Sequence, residues 1–574
     1  MVMPSSVQDL PARTAGVILG LILVARLLLG VAFSAAIPLG EAPDEADHYA
    51  YASYIGREHR LPAGTEMTQG KHPPLYYLLA AGAAGWTGMD FGFLRSNPDV
   101  GFKPGAPPNF FVHTVLEDWP WQGGALAMHL ARLVSVLAGL VLTAATYALG
   151  CTIWPGWRAG ALAAAAFVAF LPEGLFVGGA VSNDMLAAAW ATLALWAGLK
   201  GKGYLGAALA GALVGLAVLT KASTATLGLV VVISQLLAWR TRRRELAPAL
   251  VGALVTGGVA ALVVTPWVGR NWRLYGDPLG WPVVLGTIDR RIVPLGPAEI
   301  AALARGWIVS FWGKFGGAGH LALPPAFYVF WAVLVLLAVT GWIALIVRPA
   351  RRRFGDTSAS GWVVLFGAPI MTILAILSYS AVALGTDQGR LLFPALGPIA
   401  LLLVAGVAAW LPQSPKLLAG GAAVGMAAIA TLALFAGIVG PYSPPSEPPR
   451  GEVAAATPVN EAFGSDLELV ALKWGGAPPK QVTLFWQVRR PVGDDLRAEL
   501  RVTGSTGNLL WDWKRSPGAG RFSTDRWPAG RIVADTYNLP ADAVGQVELA
   551  VKAFPDGTWL KTTGGDFLVI RPGF

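Results

Sequence analysis

The sequence predicts a polytopic α-helical membrane protein followed by an all-β domain outside the membrane. Apolar residues make up 54% of the chain and charged residues only 13%, against about 25% charged in soluble globular proteins. Apolar runs long enough to cross a bilayer, about 20 residues each, recur between residues 15 and 440. After "YSPPSEPPR" (442–450) the pattern changes to short alternating segments broken by Gly, Pro and Asp.

Eleven spans are expected, at roughly 15–37, 124–149, 159–179, 185–199, 203–220, 222–239, 247–267, 326–347, 361–383, 390–411 and 416–440. The first run ends in "VAFSAA", which loosely resembles a signal cleavage site. It is longer than the usual apolar core of a signal, about 7–15 residues, so an uncleaved first helix is expected. With the N-terminus cytoplasmic, the cytoplasmic loops are 154–158, 200–203, 240–245, 348–356 and 412–416, each carrying Lys or Arg. That satisfies the positive-inside rule. It also accounts for a net charge of +9 without nucleic acid as a partner. The lone cysteine, Cys151, excludes an intrachain disulfide and a cysteine-based zinc site.

The other side then receives a long first loop (38–123), tight turns at 180–184 and near Lys221, a second large loop (268–325), "GTDQGR" (385–390) and everything after 441. Within the second loop, 298–316 with Trp307 and Trp312 reads either as a helix lying in the membrane interface or as an aromatic belt. The expected organisation is a transmembrane domain over 1–440, a proline-rich linker over 441–457 and a β-sandwich over 458–574. Strands are expected at 481–490, 498–504, 508–514, 531–539, 546–554 and 566–571.

Ionisable residues in or beside spans are scarce, so each is informative. "GEAPDEADHYAYASYI" (40–55) crowds Glu41, Asp44, Glu45, Asp47 and His48 together. A helix over about 41–56 puts Glu41, Asp44, Glu45 and His48 on one face, at i, i+3, i+4 and i+7. Such a face either caps the helix and its dipole or serves a proton, a metal or a cationic substrate. "GKHPPLYYLLAA" offers Lys71 and His72, and "VSNDMLAA" offers Asn183 and Asp184, the latter also a plausible helix cap. Lys221 interrupts "VLTKASTATL". "PWVGRNWRLYGDPLG" carries Arg270, Asn271, Arg273 and Asp277, and "GTDQGRLLFPALGP" carries Asp387, Gln388 and Arg390. All six stretches share one side under the charge-based topology. Carboxylates and cations meeting there suit a substrate with an apolar tail and a phosphate head, the cations holding the phosphate and a carboxylate accepting a proton.

These motifs, with "SFWGKFG", resemble the bacterial membrane glycosyltransferases of the GT-C superfamily, relatives of the dolichyl-phosphate-mannose protein mannosyltransferases and of the enzyme that adds aminoarabinose to lipid A. The resemblance covers about 15–440, and its most specific element is the acidic pair Asp44-Glu45. It implies inverting transfer of a sugar from a polyprenyl-phosphate-linked donor to a glycan, lipid or protein acceptor on the extracytoplasmic side of a bacterial plasma membrane. It implies Asp44 at the catalytic centre, with Glu45 beside it and Asp184 assisting, and the lipid phosphate held by Lys221, Arg270 and Arg390. His48, Lys71, His72, Asn183, Asn271, Asp387 and Gln388 complete the substrate-binding set. Some members use a divalent metal ion; the metal here is left open, and no other cofactor is implied. The chain lacks an MIR-type domain, which weakens the case for a protein acceptor. The rival readings are a secondary transporter, which places its polar groups at the bilayer midplane on repeated halves, and a non-catalytic membrane protein whose β-domain binds glycan.

Overall fold

Two compact units divide the chain, and their borders cut through the first loop. The first holds Met1–Ile37, Ala42–Asp90 and Leu126–Val439, and the second Pro38–Glu41, Phe91–Ala125 and Gly440–Phe574. The computed structural model describes residues 9–102, 106–243, 246–347, 356–411, 414–476, 481–503, 506–539, 547–553 and 559–570. Residues 244–245 of the expected basic loop 240–245, and the arginine-rich stretch 348–355, lie outside the described residues.

The helices are α1 (Ala12–Ala36), α2 (Glu45–Glu58), α3 (Leu75–Ala84), α4 (Gly123–Ile153), α5 (Arg158–Phe170), α6 (Pro172–Gly178), α7 (Asp184–Lys200), α8 (Gly203–Thr220), α9 (Ala225–Arg243), α10 (Leu246–Tyr275), α11 (Trp281–Thr287), α12 (Pro297–Ser310), α13 (Pro325–Val347), α14 (Ala359–Ser380), α15 (Leu396–Ala408) and α16 (Pro415–Leu434). Among the described residues, nine helices are long and apolar enough to cross a membrane; α5 and α6 form a further candidate span bent by 55°. The chain is therefore a multi-pass membrane protein. The bend has a local cause. Leu171 precedes Pro172 and is extended (φ −61°, ψ 121°), because the proline ring crowds a helical conformation at the residue before it. The expected span at 185–199 is α7, 17 residues long. At about 1.5 Å per residue it reaches about 26 Å, short of the roughly 30 Å hydrocarbon core.

Small residues let these helices approach. A Cβ on Gly341 of α13 would sit 1.9 Å from the carbonyl oxygen of Gly406 in α15, and one on Gly211 of α8 would sit 2.4 Å from that of Thr256 in α10. Such close contact is how helices gain packing energy in lipid, where the hydrophobic effect gives none between them. Trp307 and Trp312 of the second large loop turn inward rather than to the interface. Trp307 packs with Leu303 and Ile376, and Trp312 stacks on Trp331 at 4.6 Å.

The second unit is a β-sandwich of two four-stranded antiparallel sheets. Its strands are β1 (Thr457–Phe463), β2 (Leu467–Gly475), β3 (Gln481–Val488), β4 (Leu496–Thr503), β5 (Leu509–Arg515), β6 (Ile532–Asn538), β7 (Val547–Ala553) and β8 (Leu568–Ile570). The sheet orders are β6-β3-β2-β1 and β8-β7-β4-β5. Alternating residues of both sheets, among them Leu469, Leu484, Trp486, Leu500, Leu549 and Val551, form the shared core. Arg515 of β5 donates to Asp535 of β6 at 2.5 Å, so one buried ion pair ties the two sheets. The expected strands are present, but β1 and β2 add a pair that the sequence reading lacks, and β1 begins inside the expected linker. A register shift between Leu469 and Ala471 explains the omission. The bulge breaks the alternation, so that Ala471 and Leu472 are both buried.

Residues 91–125 belong to this unit. Arg95 pairs with Asp495 at 3.0 Å, Asn109 donates to the Gly520 carbonyl at 2.8 Å, and Ser523 donates to the His113 carbonyl at 2.6 Å. Glu41 is the anchor at the loop's other end. Its carboxylate accepts from the Phe111 N–H at 2.9 Å, from His113 at 3.2 Å and from the Tyr442 hydroxyl at 3.1 Å.

The His113 imidazole lies between Glu41 and Glu117. Burial alone lowers its pKa, but the two carboxylates outweigh it and hold it at about 9. A histidine raised in this way contributes its stability fully below about pH 6.5 and loses it as pH climbs through about 9. For the full chain in detergent, the Tm of the tryptophan transition is expected to fall between pH 7.5 and 10 by the equivalent of about 2 kcal/mol. His113→Gln should flatten that fall. An equal alkaline loss in the variant would remove His113 as its source.

Candidate active site

The site grows from the junction of α1 and α2. The predicted helix over 41–56 starts only at Glu45, because Asp44 takes the left-handed conformation (φ 61°, ψ 8°). Few residues besides glycine tolerate that region, and Asp is one of them. Glu41 therefore precedes the helix and does not share a face with Glu45 and His48, which corrects the expected four-residue face. Among the described residues, no three of His, Cys, Asp and Glu are grouped so as to hold a metal ion.

Asp44 and Glu45 point to different partners. Glu45 is wholly buried and forms a bidentate pair with Arg132 of α4, at 2.7 Å and 2.8 Å. It also accepts from the Val181 N–H at 2.9 Å. Arg132 spends its remaining donors on the carbonyls of Ser34 and Ile37, at 2.6 Å and 2.8 Å. One pair thus ties the end of α1, the start of α2, the first third of α4 and the turn that leads into Asp184.

Asp44 instead meets Arg390. That guanidinium is the hub: Nη2 donates to Asp44, Nη1 to Asp184 at 3.0 Å and Nε to the Gln388 side-chain oxygen at 2.6 Å. Asp184, at the first position of α7, also accepts from the Lys221 ammonium and from the Ser182 hydroxyl at 3.2 Å. Its carboxylate therefore binds cations, and its helix has no side-chain cap. Two carboxylates and two cations alternate as Asp44, Arg390, Asp184 and Lys221, formally neutral in sum. Exposure differs sharply within this row: Asp44 is 46% exposed, Arg390 7%, Asp184 1% and Lys221 12%. Asp44 is the open end.

The loop carrying Arg390 is clamped by α12. Trp307 donates to the Thr386 carbonyl at 2.6 Å, and the Gly389 N–H donates to the Ser310 hydroxyl at 2.7 Å. A Cβ on Gly389 would fall 2.3 Å from the Phe311 nitrogen, so only glycine allows the approach. Asp387 contributes its backbone here, its carbonyl accepting from Ser310 at 3.5 Å. Asn183 closes the turn behind the site by donating to the Thr220 carbonyl at 3.2 Å, which sets Lys221 beside Asp184.

A buried aromatic wall flanks Asp44. His48 Nδ1 lies 2.7 Å from the Tyr77 hydroxyl, Tyr77 stacks on Tyr51 at 4.0 Å, and the His48 and His72 rings lie 6.0 Å apart. Burial lowers His48 to about 4, with Asp44 opposing and Arg390 adding to the drop, so the ring is neutral at pH 7. His72 is lowered too, by burial first and by His48 second. For Asp44, burial pushes the carboxyl up, but Arg390 and His48 more than offset it and hold it at about 2.

Other predicted residues are engaged elsewhere. Lys71 donates to the carbonyls of Thr68 and Thr287, at 3.0 Å and 3.4 Å. Arg270 donates to the Pro62 carbonyl at 2.5 Å, and Asn271 to that of Pro278 at 3.4 Å. Sequence reasoning missed Arg132, Tyr77 and Glu173, whose buried carboxyl accepts from the Lys314 N–H at 2.9 Å. The available signal was a lone charge inside an apolar run, in "MHLARLVSVL" and "AFLPEGLF".

Arg132→Met removes the guanidinium that neutralises the buried Glu45 carboxylate, a loss of about 3–5 kcal/mol. A thermal melt in detergent should show it as a large drop in Tm. Combined with Glu45→Leu, the loss should be smaller than the sum of the single changes; simple additivity would mean the two groups act independently.

No family model matches the chain, and no curated protein sequence matches it. Solved structures similar to it include ArnT from Cupriavidus metallidurans bound to undecaprenyl phosphate, at 16% identity over 72% of this chain and 78% of that one, with a TM-score of 0.31. The S. cerevisiae protein O-mannosyltransferase Pmt1-Pmt2 complex bound to the sugar donor is similar at 14% identity over 54% of this chain and 39% of that one, with a TM-score of 0.30. Arabinosyltransferase EmbB from Mycobacterium smegmatis is similar at 14% identity over 99% of this chain and 64% of that one, with a TM-score of 0.31. Likenesses this distant leave the chemistry to be argued from the residues.

Proposed function

We propose that the chain is a GT-C-type membrane glycosyltransferase that moves a sugar from a polyprenyl-phosphate donor to an extracytoplasmic acceptor with inversion. The observation that carries this reading is the row Asp44–Arg390–Asp184–Lys221, two cations anchored on a buried carboxylate with a second carboxylate at the open end. Arg390 and Lys221 receive the phosphate of the donor, whose prenyl tail lies in the bilayer beside the apolar helices. Arginine offers paired donors to phosphate oxygens and lysine a point charge.

An acceptor hydroxyl attacks the anomeric carbon from the face opposite the phosphate. A new carbon–oxygen bond forms as the bond to the phosphate oxygen breaks, its electron pair leaving with the polyprenyl phosphate. The hydroxyl proton passes to Asp44. Arg390 and Lys221 stabilise the charge that grows on the leaving phosphate, usually the largest catalytic contribution. Gln388 and Asp184 hold Arg390 in place, and the Glu45–Arg132 pair fixes the turn on which Asp44 stands. The N-terminus is cytoplasmic, the second unit is extracytoplasmic, and the membrane is the bacterial plasma membrane. The acceptor is a glycan, a lipid or a protein on the extracytoplasmic side.

Purified full-length chain in detergent should release undecaprenyl phosphate from one or more of a panel of undecaprenyl-phosphate-linked pentoses and hexoses. Asp44→Asn should lower that turnover by about 100-fold or more while the Tm is kept, since Asn also accepts the left-handed backbone. Wild-type turnover in that variant would remove Asp44 as the base. Lys221→Ala should raise KM for the donor more than it lowers kcat; an unchanged KM would argue against a phosphate contact.

A further inference from the structure

Asp44 in the resting site is ill-suited to the role just given to it. A general base works best with a pKa near the working pH, and Arg390 with His48 holds this carboxyl at about 2. The same contact also occupies the cation that the donor's phosphate needs. Both difficulties have one origin, the Nη2 bond from Arg390 to Asp44, and one event resolves both.

We propose, building on the glycosyltransferase reading, that the donor's phosphate and the Asp44 carboxylate compete for the Arg390 guanidinium, so that donor binding detaches Asp44 and turns it into an effective base. Of the three groups on this guanidinium, Asp184 is fixed: it is 1% exposed and is shared with Lys221. Gln388 is neutral and bonds Nε at 2.6 Å. Asp44 alone is a charged partner that is open to solvent, at 46%. A phosphate that reaches Arg390 therefore arrives beside Asp44, and two anions on one guanidinium repel each other. The anion with the looser hold moves. Once off Arg390, Asp44 loses its strongest stabilising charge and faces the new negative charge of the phosphate, and both changes raise its proton affinity. Linkage makes the effect mutual: whatever the phosphate does to Asp44, the Asp44 charge does to phosphate affinity. The base is switched on only when a donor is in place, and it returns to Arg390 when the polyprenyl phosphate leaves.

Binding of undecaprenyl phosphate to the full-length chain in detergent, followed by intrinsic tryptophan fluorescence or thermophoresis at pH 7.5, tests this without turnover. Asp44→Asn frees Arg390 and keeps the left-handed turn, so its Kd should fall about 5-fold or more relative to wild type. Asp44→Gly, which also suits that backbone, should do the same. Asp47→Asn is the control. Asp47 is a neighbour whose carboxyl is raised by burial first and by the Asp44 charge second, and its removal takes away the same charge without releasing Arg390. Its Kd should stay within about 2-fold of wild type. Equal tightening by Asp44→Asn and Asp47→Asn would reduce the effect to general electrostatics and overturn the competition. Unchanged or weaker binding in both Asp44 variants would overturn it as well, while leaving the glycosyltransferase reading standing. Failure of the wild-type chain to bind the lipid phosphate at all would overturn that reading and, with it, the competition.

Discussion

Much of the first unit's architecture around the site hangs on the buried pair between Glu45 and Arg132. Two charges out of water are costly unless each is paired and its remaining hydrogen-bonding capacity is met. Here every part of that condition is satisfied by a different segment. Ser34 and Ile37 supply carbonyls from the end of α1, and Val181 supplies an N–H from the turn before α7. None of these segments can shift without exposing a charge to an apolar interior. The pair therefore acts as a rigid corner, and Asp44 and Asp184, each within three residues of that corner, inherit its precision.

From that corner the two consecutive acids diverge. The left-handed turn at Asp44 sends its carboxylate to Arg390 while Glu45 goes inward. The result is a division of labour by burial. Glu45 is locked in structure, Asp184 is the hidden anchor for two cations, and Asp44 is left at solvent. Arg390 is held in turn by the loop at 385–390, whose tight seat on α12 depends on the missing side chain of Gly389. The row is neutral in sum, and its most exposed member is the Asp44 carboxylate.

The second unit follows a different logic. A sandwich has two open edges, and here one of them is closed by Arg515, which links β5 to β6 through Asp535. Residues 91–125 are bonded into the same unit through Arg95, Asn109 and the His113 carbonyl. The chain thus commits part of its first loop to a domain whose strands appear more than 300 residues later. His113 links Glu41 to Glu117 within this unit, lying between the two carboxylates.

What the sequence determined by itself is what depends on neighbours along the chain. A bilayer demands about 20 apolar residues in a row, so most spans were legible from 15–37 to 416–440. Period-two alternation marked six of the strands, and it failed for β2 where the bulge at Leu469–Ala471 broke the period. The acidic cluster after the first span was visible as a cluster; together with the later cations it pointed to a phosphate-headed substrate, and sugar transfer was what the family resemblance implied. What only the tertiary structure decided is which acid does what. The helix register starts at Glu45, not Glu41, because a left-handed Asp44 is stabilised by a guanidinium 346 residues away. Glu45 was read beside the chemistry, but its partner is a lone arginine 87 residues on, and Arg270 and Lys71 were read toward a phosphate but donate to carbonyls. Local sequence sets where a charge can stand; the low dielectric of the packed interior decides which opposite charge it must find, and that partner is chosen by the fold.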